Sequence, residues 1–99
     1  MLGIEKTTEN KKVTVALKGR LDTVTAPELE KELRELLPEA EELIFDCEGL
    51  EYISSAGLRV LLASQKVMGK QGSMKLIHVN EIVMGVFEVT GFTDILTIE

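Results

Sequence analysis

The chain has little of what disulfides, metal clusters and membrane spans require. Its 99 residues include one cysteine and one histidine, Cys47 and His78, which excludes a disulfide framework and disfavours a Cys/His metal centre. Tryptophan is absent, and the uninterrupted apolar runs are only a few residues long, too short to cross a bilayer. The first residues also lack the hydrophobic core of a signal peptide. We therefore expect a cytoplasmic protein that has no membrane partner.

Positive charge is also scarce. Lysine and arginine total 11 against 17 aspartate and glutamate residues, which gives a formal net charge of −6. Such a chain repels a phosphate backbone, and no basic stripe alternates with aromatic residues, so we expect no nucleic-acid partner. Apolar residues nonetheless make up 44% of the sequence, enough for one core. No repeat or linker divides the sequence, and we predict one domain over residues 1–99 that is a monomer when free.

Alternation between strand-like and helix-like segments predicts an α/β fold. Apolar residues at every second position over 13–17 predict a strand, and residues 4–8 can pair with it as an antiparallel hairpin. Apolar residues at helical spacing predict three helices, over about 26–37, 55–70 and 81–90. The full order is β-β-α-β-α-β-α-β, with strands at 4–8, 13–17, 43–46, 74–79 and 95–98. This order implies a mixed, mostly parallel sheet of about five strands with at least three helices.

Residue types that favour helix ends set the expected boundaries. Thr25 is expected to cap the first helix, with Glu28 three residues later as its capping-box partner. Pro38 ends that helix, because the residue before a proline is pushed out of the α region. Asn80 is expected to cap the start of the third helix, and Gly91 to end it.

Polar residues follow two of the predicted parallel strands. Asp22 comes after the second strand, Asp46 ends the third, and residues 52–57 lead into the second helix. Because ligands and partners of parallel sheets gather at the carboxyl ends of the strands, we expect the functional site at this edge.

Two serines stand at the start of the second helix. Ser54 or Ser55 is the expected N-cap, which by itself is a common structural role. Gly57 in the first turn is costly for a helix and indicates that a backbone or a partner approaches closely there. A phosphate on Ser55 would lie beside the free N–H groups and the positive end of the helix. Modification there would leave the fold intact and change the surface charge by about −1.5 to −2.

Four segments, in order along the chain, resemble the bacterial anti-sigma factor antagonists of the STAS domain family. They are Gly19-Arg20-Leu21-Asp22, Leu43-Ile44-Phe45-Asp46, residues 51–62 around Ser54-Ser55-Ala56-Gly57-Leu58, and residues 89–96. The Ser-Ser-Ala-Gly-Leu block is the most specific of the four. The family pattern is Asp-Ser-Ser/Thr-Gly-Leu-x-Val, so Ser54 replaces the usual Asp, and Ala56 replaces the second hydroxyl residue.

The resemblance implies a protein–protein switch that is not an enzyme and has no cofactor or metal of its own. In this family the unmodified antagonist binds an anti-sigma factor that is also a serine kinase, which frees a sigma factor. The kinase uses Mg-ATP to phosphorylate the antagonist and so releases it, and a metal-dependent serine phosphatase reverses the modification. Alignment on Gly57 puts the phosphoacceptor at Ser55, with Ser54 as the alternative. The expected partner-binding residues are Asp22, Ser54, Ser55, Ala56, Gly57 and Arg59.

Three other functions fit parts of the sequence. A serine hydrolase needs a base, for which His78 is the only histidine, and the Gly-x-Ser-x-Gly elbow is absent. A receiver domain would use Asp22 and Asp46, but it also needs a second acid and a lysine that the sequence lacks; loop hydrogen bonding explains both residues equally well. A STAS module of another partner-switching or sensory complex would share both fold and motif, so only its partner would distinguish it.

Overall fold

Four strands form one sheet in the computed structural model, which describes residues 1–99. They are β1 (Leu2–Glu9), β2 (Lys12–Leu21), β3 (Glu42–Ile53) and β4 (Ser73–Ile77), hydrogen-bonded in the order β1-β2-β3-β4. The first pair is antiparallel, and β2–β3 and β3–β4 are parallel. Asn10 and Lys11 join β1 to β2 with positive φ angles of 50° and 67°, the backbone that a tight hairpin turn requires. The predicted hairpin and mixed sheet are confirmed.

Three helices connect or follow the parallel strands. They are α1 (Ala26–Leu36), α2 (Ser55–Gln71) and α3 (Glu81–Thr90), and short 3₁₀ turns follow the first and the last at Leu37–Glu39 and Phe92–Asp94. Asn80 caps α3 as predicted, since its side-chain oxygen accepts a hydrogen bond from Val83 N at 2.8 Å. Gly91 ends α3 in the left-handed region, also as predicted.

The helices cover one face of the sheet. Alternate strand residues such as Val15 and Phe45 point to this face, where they join buried residues from all three helices in one cluster of 24. Its largest fully buried side chains include Phe45, Phe87, Leu29, Leu61 and Met68. Every helix contributes to the same cluster, and the opposite face of the sheet carries mainly half-buried and exposed residues, with Ile44 as its buried exception. The molecule therefore has two layers, and the helix layer carries the start of α2.

Several predicted strand boundaries are wrong: β2 runs four residues past its predicted end at Leu17, and β4 ends at Ile77, two residues before its predicted end. The predicted fifth strand at 95–98 is a single parallel bridge between Leu76 and Ile98, because the N–H groups of Ile95 and Leu96 still donate to the Phe92 carbonyl of the preceding 3₁₀ turn. β3 does not end at Asp46 but continues to Ile53 through a register irregularity opposite β2. The fold class is as predicted, with a sheet of four strands in place of about five.

The predicted capping box of α1 is also wrong. Thr25 occupies the N-cap position, but its side chain makes no cap hydrogen bond. The hydroxyl is turned back into the preceding loop, where it donates to the Arg20 carbonyl at 2.7 Å and accepts from Asp22 N at 2.9 Å. These bonds satisfy backbone groups of the loop at the cost of the cap.

Candidate functional site

The carboxyl ends of β2 and β3 lie side by side. Leu21 pairs with Ile53 at the last step of the parallel ladder, and Ser54 N donates to the Leu21 carbonyl at 2.9 Å. The loop that begins at Asp22 and the start of α2 are therefore adjacent. The structure brings these two segments of the predicted site together.

Asp22 organises the loop between β2 and α1. Its Oδ1 accepts hydrogen bonds from Val24 N at 3.0 Å and from Thr25 N at 3.1 Å. The Thr25 N–H is the main cause that lowers the pKa of the Asp22 carboxyl below its ordinary value, and the Arg20 charge contributes. Asp22 is thus a fixed negative charge at this edge, and one of its oxygens is committed to loop structure.

Gly57, one of the predicted partner-binding residues, is buried. A Cβ at this position would lie 2.7 Å from Leu21 Cγ and 2.8 Å from Ile53 Cγ1. The glycine therefore lets the first turn of α2 approach the ends of β2 and β3. Its effect on the site is indirect, because it sets the depth at which the helix start rests on the sheet.

The two serines differ in orientation. Ser54 is the N-cap residue of α2, yet its side chain makes no cap bond, and its Oγ is buried without a hydrogen-bond partner. Ser55 is the first helical residue and is exposed. A kinase must reach the oxygen that it modifies, so the burial of Ser54 Oγ argues against Ser54 as the alternative phosphoacceptor. Of the two serines, only Ser55 is an exposed residue.

The first turn of α2 also offers backbone donors. The first N–H groups of a helix have no partner within the helix, and neither the Ser54 side chain nor an acidic residue in the first turn occupies them. Together with the helix dipole these donors favour a negative group at this end. The backbone at the start of α2 thus contributes positive potential beside the Arg59 side chain.

A shallow groove of about 260 Å³ runs from this turn to the start of α1. Ala56 and Arg59 line it from α2, and Thr23, Ala26 and Pro27 line it from the loop and α1. The groove places Ala56 and Arg59 next to the Asp22 loop. The exposed patch, defined as the exposed Thr23, Ser55 and Arg59 with the half-buried Asp22 and Ala56, therefore unites most of the predicted partner-binding residues.

Arg20 and Tyr52 form a neighbouring surface feature that sequence reasoning missed. They are paired across β2 and β3, and the Arg20 guanidinium lies 4.2 Å from the centroid of the Tyr52 ring. The Arg20 Nε is 3.8 Å from Asp22 Oδ2. Their pairing depends on the irregular register between the strands, for which the sequence carries no signal.

Asp46 lies elsewhere on the sheet. It pairs with Ala16, six residues before Asp22 on β2, which puts the two aspartates roughly 20 Å apart at about 3.3 Å per residue. His78 Nδ1 lies 3.0 Å from Asp46 Oδ1, so this histidine lies beside Asp46, seven residues before the end of β3 that leads into the serines. This separation contradicts the receiver alternative, and it removes His78 as a base for a serine hydrolase.

Asp46, Glu48 and His78 together are the residues that could hold a divalent cation, since their ligand atoms lie within 4.8 Å of one another. The Asp46–His78 hydrogen bond raises the pKa of His78 and lowers the pKa of Asp46. The pair links β3 to the residue that follows β4.

Cys47, which follows Asp46 on β3, is buried, and burial raises the pKa of its thiol to about 12.

None of the helices is long and apolar enough to cross a membrane.

Comparisons with known proteins agree with this architecture. A family model described as "Mlab, STAS domain" matches residues 4–97. The anti-sigma-B factor antagonist of Bacillus subtilis (strain 168) is 33% identical over 87 residues, which cover 87% of this chain and 80% of that protein. The putative anti-sigma factor antagonist BtrV of Bordetella bronchiseptica is 37% identical over 84 residues, which cover 83% of this chain and 72% of that protein.

Solved structures share the fold. An anti-sigma factor antagonist from Mycobacterium paratuberculosis superimposes with a TM-score of 0.90 at 21% identity, covering 99% of this chain and 85% of that one. The phosphorylated form of the Bacillus cell fate determinant SpoIIAA superimposes with a TM-score of 0.75 at 17% identity, covering 100% and 91%. At these identities the likeness concerns the fold alone.

Proposed function

This chain belongs to the STAS domain family, and from that premise we propose that it is an anti-sigma factor antagonist. Unmodified, it binds an anti-sigma factor that is also a serine kinase, and this binding releases a sigma factor. Phosphorylation of Ser55 with Mg-ATP ends the binding, and a metal-dependent serine phosphatase restores it. The protein acts in the cytoplasm as a binding partner and as a substrate, and not as an enzyme.

The exposed hydroxyl of Ser55 is the observation that carries this proposal. It stands on the first residue of α2, next to the Asp22 loop, while the neighbouring Ser54 Oγ is buried. The names of the two curated relatives support the antagonist role. A neighbour of the same fold in a phosphorylated form is compatible with a switch of this kind.

Electrostatics at the contact can account for the switch. A phosphate adds about −1.5 to −2 charges at pH 7, at the centre of the exposed patch. Like charges brought together across an interface cost several kcal/mol, and 1.4 kcal/mol already weakens binding tenfold. The phosphate also suits the positive end of α2, so the helix is preserved. Modification therefore changes the surface and leaves the fold unchanged.

The test compares variants of Ser55 against the anti-sigma factor kinases of the same genome. We expect Ser55→Ala to bind its kinase as wild type does, and Ser55→Asp and the phosphorylated protein to bind at least tenfold more weakly. Incubation with the kinase and Mg-ATP should add one phosphate to wild type and none to Ser55→Ala, as measured by intact mass.

A matched control places the same charge at the other end of the sheet. Ser73 is exposed at the start of β4, at the amino ends of the parallel strands, and Ser73→Asp should bind as wild type does. Equal binding of Ser55→Ala and Ser55→Asp, or a phosphate mapped to another residue, would contradict the proposal. An equal loss of kinase binding in Ser55→Asp and Ser73→Asp would show that the net charge, and not the position of the charge, weakens binding.

A further inference from the structure

We infer that the guanidinium of Arg59 pairs with the phosphate on Ser55, so that phosphorylation withdraws the free cation of the exposed patch at the moment it adds an anion. The inference rests on the proposed function, because it takes Ser55 as the modified residue. It assigns Arg59 a part in both states of the switch: an open cation in the unmodified protein, and a phosphate partner in the modified one.

Helix geometry brings the two side chains together. Ser55 and Arg59 are four residues apart on α2, and both are exposed. Side chains at this spacing lie on the same face, with about 5–6 Å between their Cβ atoms. Every Cα–Cβ bond of a helix also tilts toward the N-terminus, so the long Arg59 side chain leans back toward Ser55. A phosphate on Ser55 is therefore within reach of the guanidinium without any change in the helix.

Arg59 is the arginine that is free to respond. The chain has three arginines, and the other two are engaged: Arg34 bonds Glu30 at 2.9 Å, and Arg20 covers Tyr52 beside Asp22. Arg59 takes part in none of the six ion pairs of the structure. A phosphate would therefore not have to displace an existing carboxylate partner of Arg59.

The charged groups around the pair favour the same outcome. Glu30 is the acidic residue that lines the groove with Arg59, and its carboxylate is already bonded to Arg34. The Asp22 carboxylate accepts loop N–H groups on the other side. A planar guanidinium suits phosphate because it can donate two parallel hydrogen bonds to it. The partner would then meet a patch that has gained a phosphate and lost an open guanidinium.

The phosphate's own titration tests the pairing. Phosphoserine is incorporated at position 55 during synthesis in the full-length chain, and its pKa is measured by ³¹P NMR. We expect Arg59→Gln to raise this pKa by about 0.2–0.7 units, the size of an exposed ion pair, because a nearby cation favours the dianion. Arg59→Lys, which keeps the charge, should restore part of the shift.

Lys66→Gln is the matched control, since it removes one positive charge from an exposed position of the same helix. It lies seven residues beyond Arg59 and should leave the phosphate pKa within about 0.1 unit of wild type at physiological salt. Equal phosphate pKa values in wild type and Arg59→Gln, or equal shifts in Arg59→Gln and Lys66→Gln, would overturn the inference. Because this measurement uses no kinase, it can still be interpreted if the binding experiment contradicts the proposed function.

Discussion

Replacing Gly57 with alanine tests the close approach that positions the start of α2. The new Cβ would lie 2.7 Å from Leu21 Cγ and 2.8 Å from Ile53 Cγ1, closer than carbon atoms can pack. Leu21 is 0% exposed and Ile53 2% exposed, so neither side chain has free space to move into. The helix start must therefore shift away from the sheet, or the core must distort.

Two terms of opposite sign set the size of the effect. Overpacking of a filled core costs about 1–3 kcal/mol, and two severe contacts with fully buried side chains place Gly57→Ala in the upper part of that range. Alanine recovers about 1 kcal/mol through its higher helix propensity. The net expectation is a loss of about 1–2 kcal/mol in the free energy of unfolding. In a domain of this size that lowers the Tm by about 4–16 °C.

Gly69→Ala is the matched control on the same helix. No atom lies within 4 Å of a Cβ built at Gly69, so this substitution has the propensity gain without the clash. We expect it to stabilise the protein by about 0.5–1 kcal/mol. Thermal and urea unfolding of both variants measure the difference. If Gly57→Ala stabilised the protein as much as Gly69→Ala does, the argument that Gly57 sets the helix position would be refuted.

Two further predictions concern the residues around Asp46. Cys47 is buried and the pKa of its thiol is raised to about 12, so it should not react with a thiol reagent at pH 8 until the protein is unfolded; rapid reaction of the native protein would contradict this. Asp46 raises the pKa of His78, so the pair stabilises the fold fully below the ordinary histidine value of 6.5 and loses its effect as the pH rises through the raised value. At the acid end the effect is lost as the pH falls through the lowered pKa of Asp46. An NMR titration should give His78 a pKa above 6.5 that returns toward it in Asp46→Asn, and an unchanged value would exclude the pairing.

Local signals in the sequence were sufficient for most element boundaries. The Asn80 side chain caps the start of α3, and Gly91 ends the helix with a left-handed backbone. Both roles follow from the residue type itself, so α3 could be predicted from the sequence. The start of α2 at Ser55 likewise follows from short-range preferences. Thr25 has the same propensity to cap, but the nearby Arg20 carbonyl and Asp22 N–H take its hydroxyl. Tertiary contacts of this kind override a local preference without leaving a trace in the local sequence.

The second half of β3 could not be predicted for a related reason. Leu50 and Ile53 are three residues apart, which breaks the period of two by which a strand is recognised. The irregular register opposite β2 restores both side chains to the buried face. Because β3 continues past the irregularity to Ile53, Asp46 does not lie at the end of the strand. The prediction that Asp46 lies near the serines is wrong for this reason.

The choice between Ser54 and Ser55 depends on orientation rather than composition, and orientation also explains why a switch here need not disturb the fold. Both serines suit a helix start, but Ser54 is bound to β2 through its N–H, and its hydroxyl is buried. Ser55 is one residue farther along the helix and faces solvent. Because Gly57 has no side chain, this turn packs directly against Leu21. The turn is therefore fixed in place while Ser55 stays accessible. In the proposed switch, a charge added at Ser55 would therefore act on the partner that docks at the patch, without a change in the packing around Gly57.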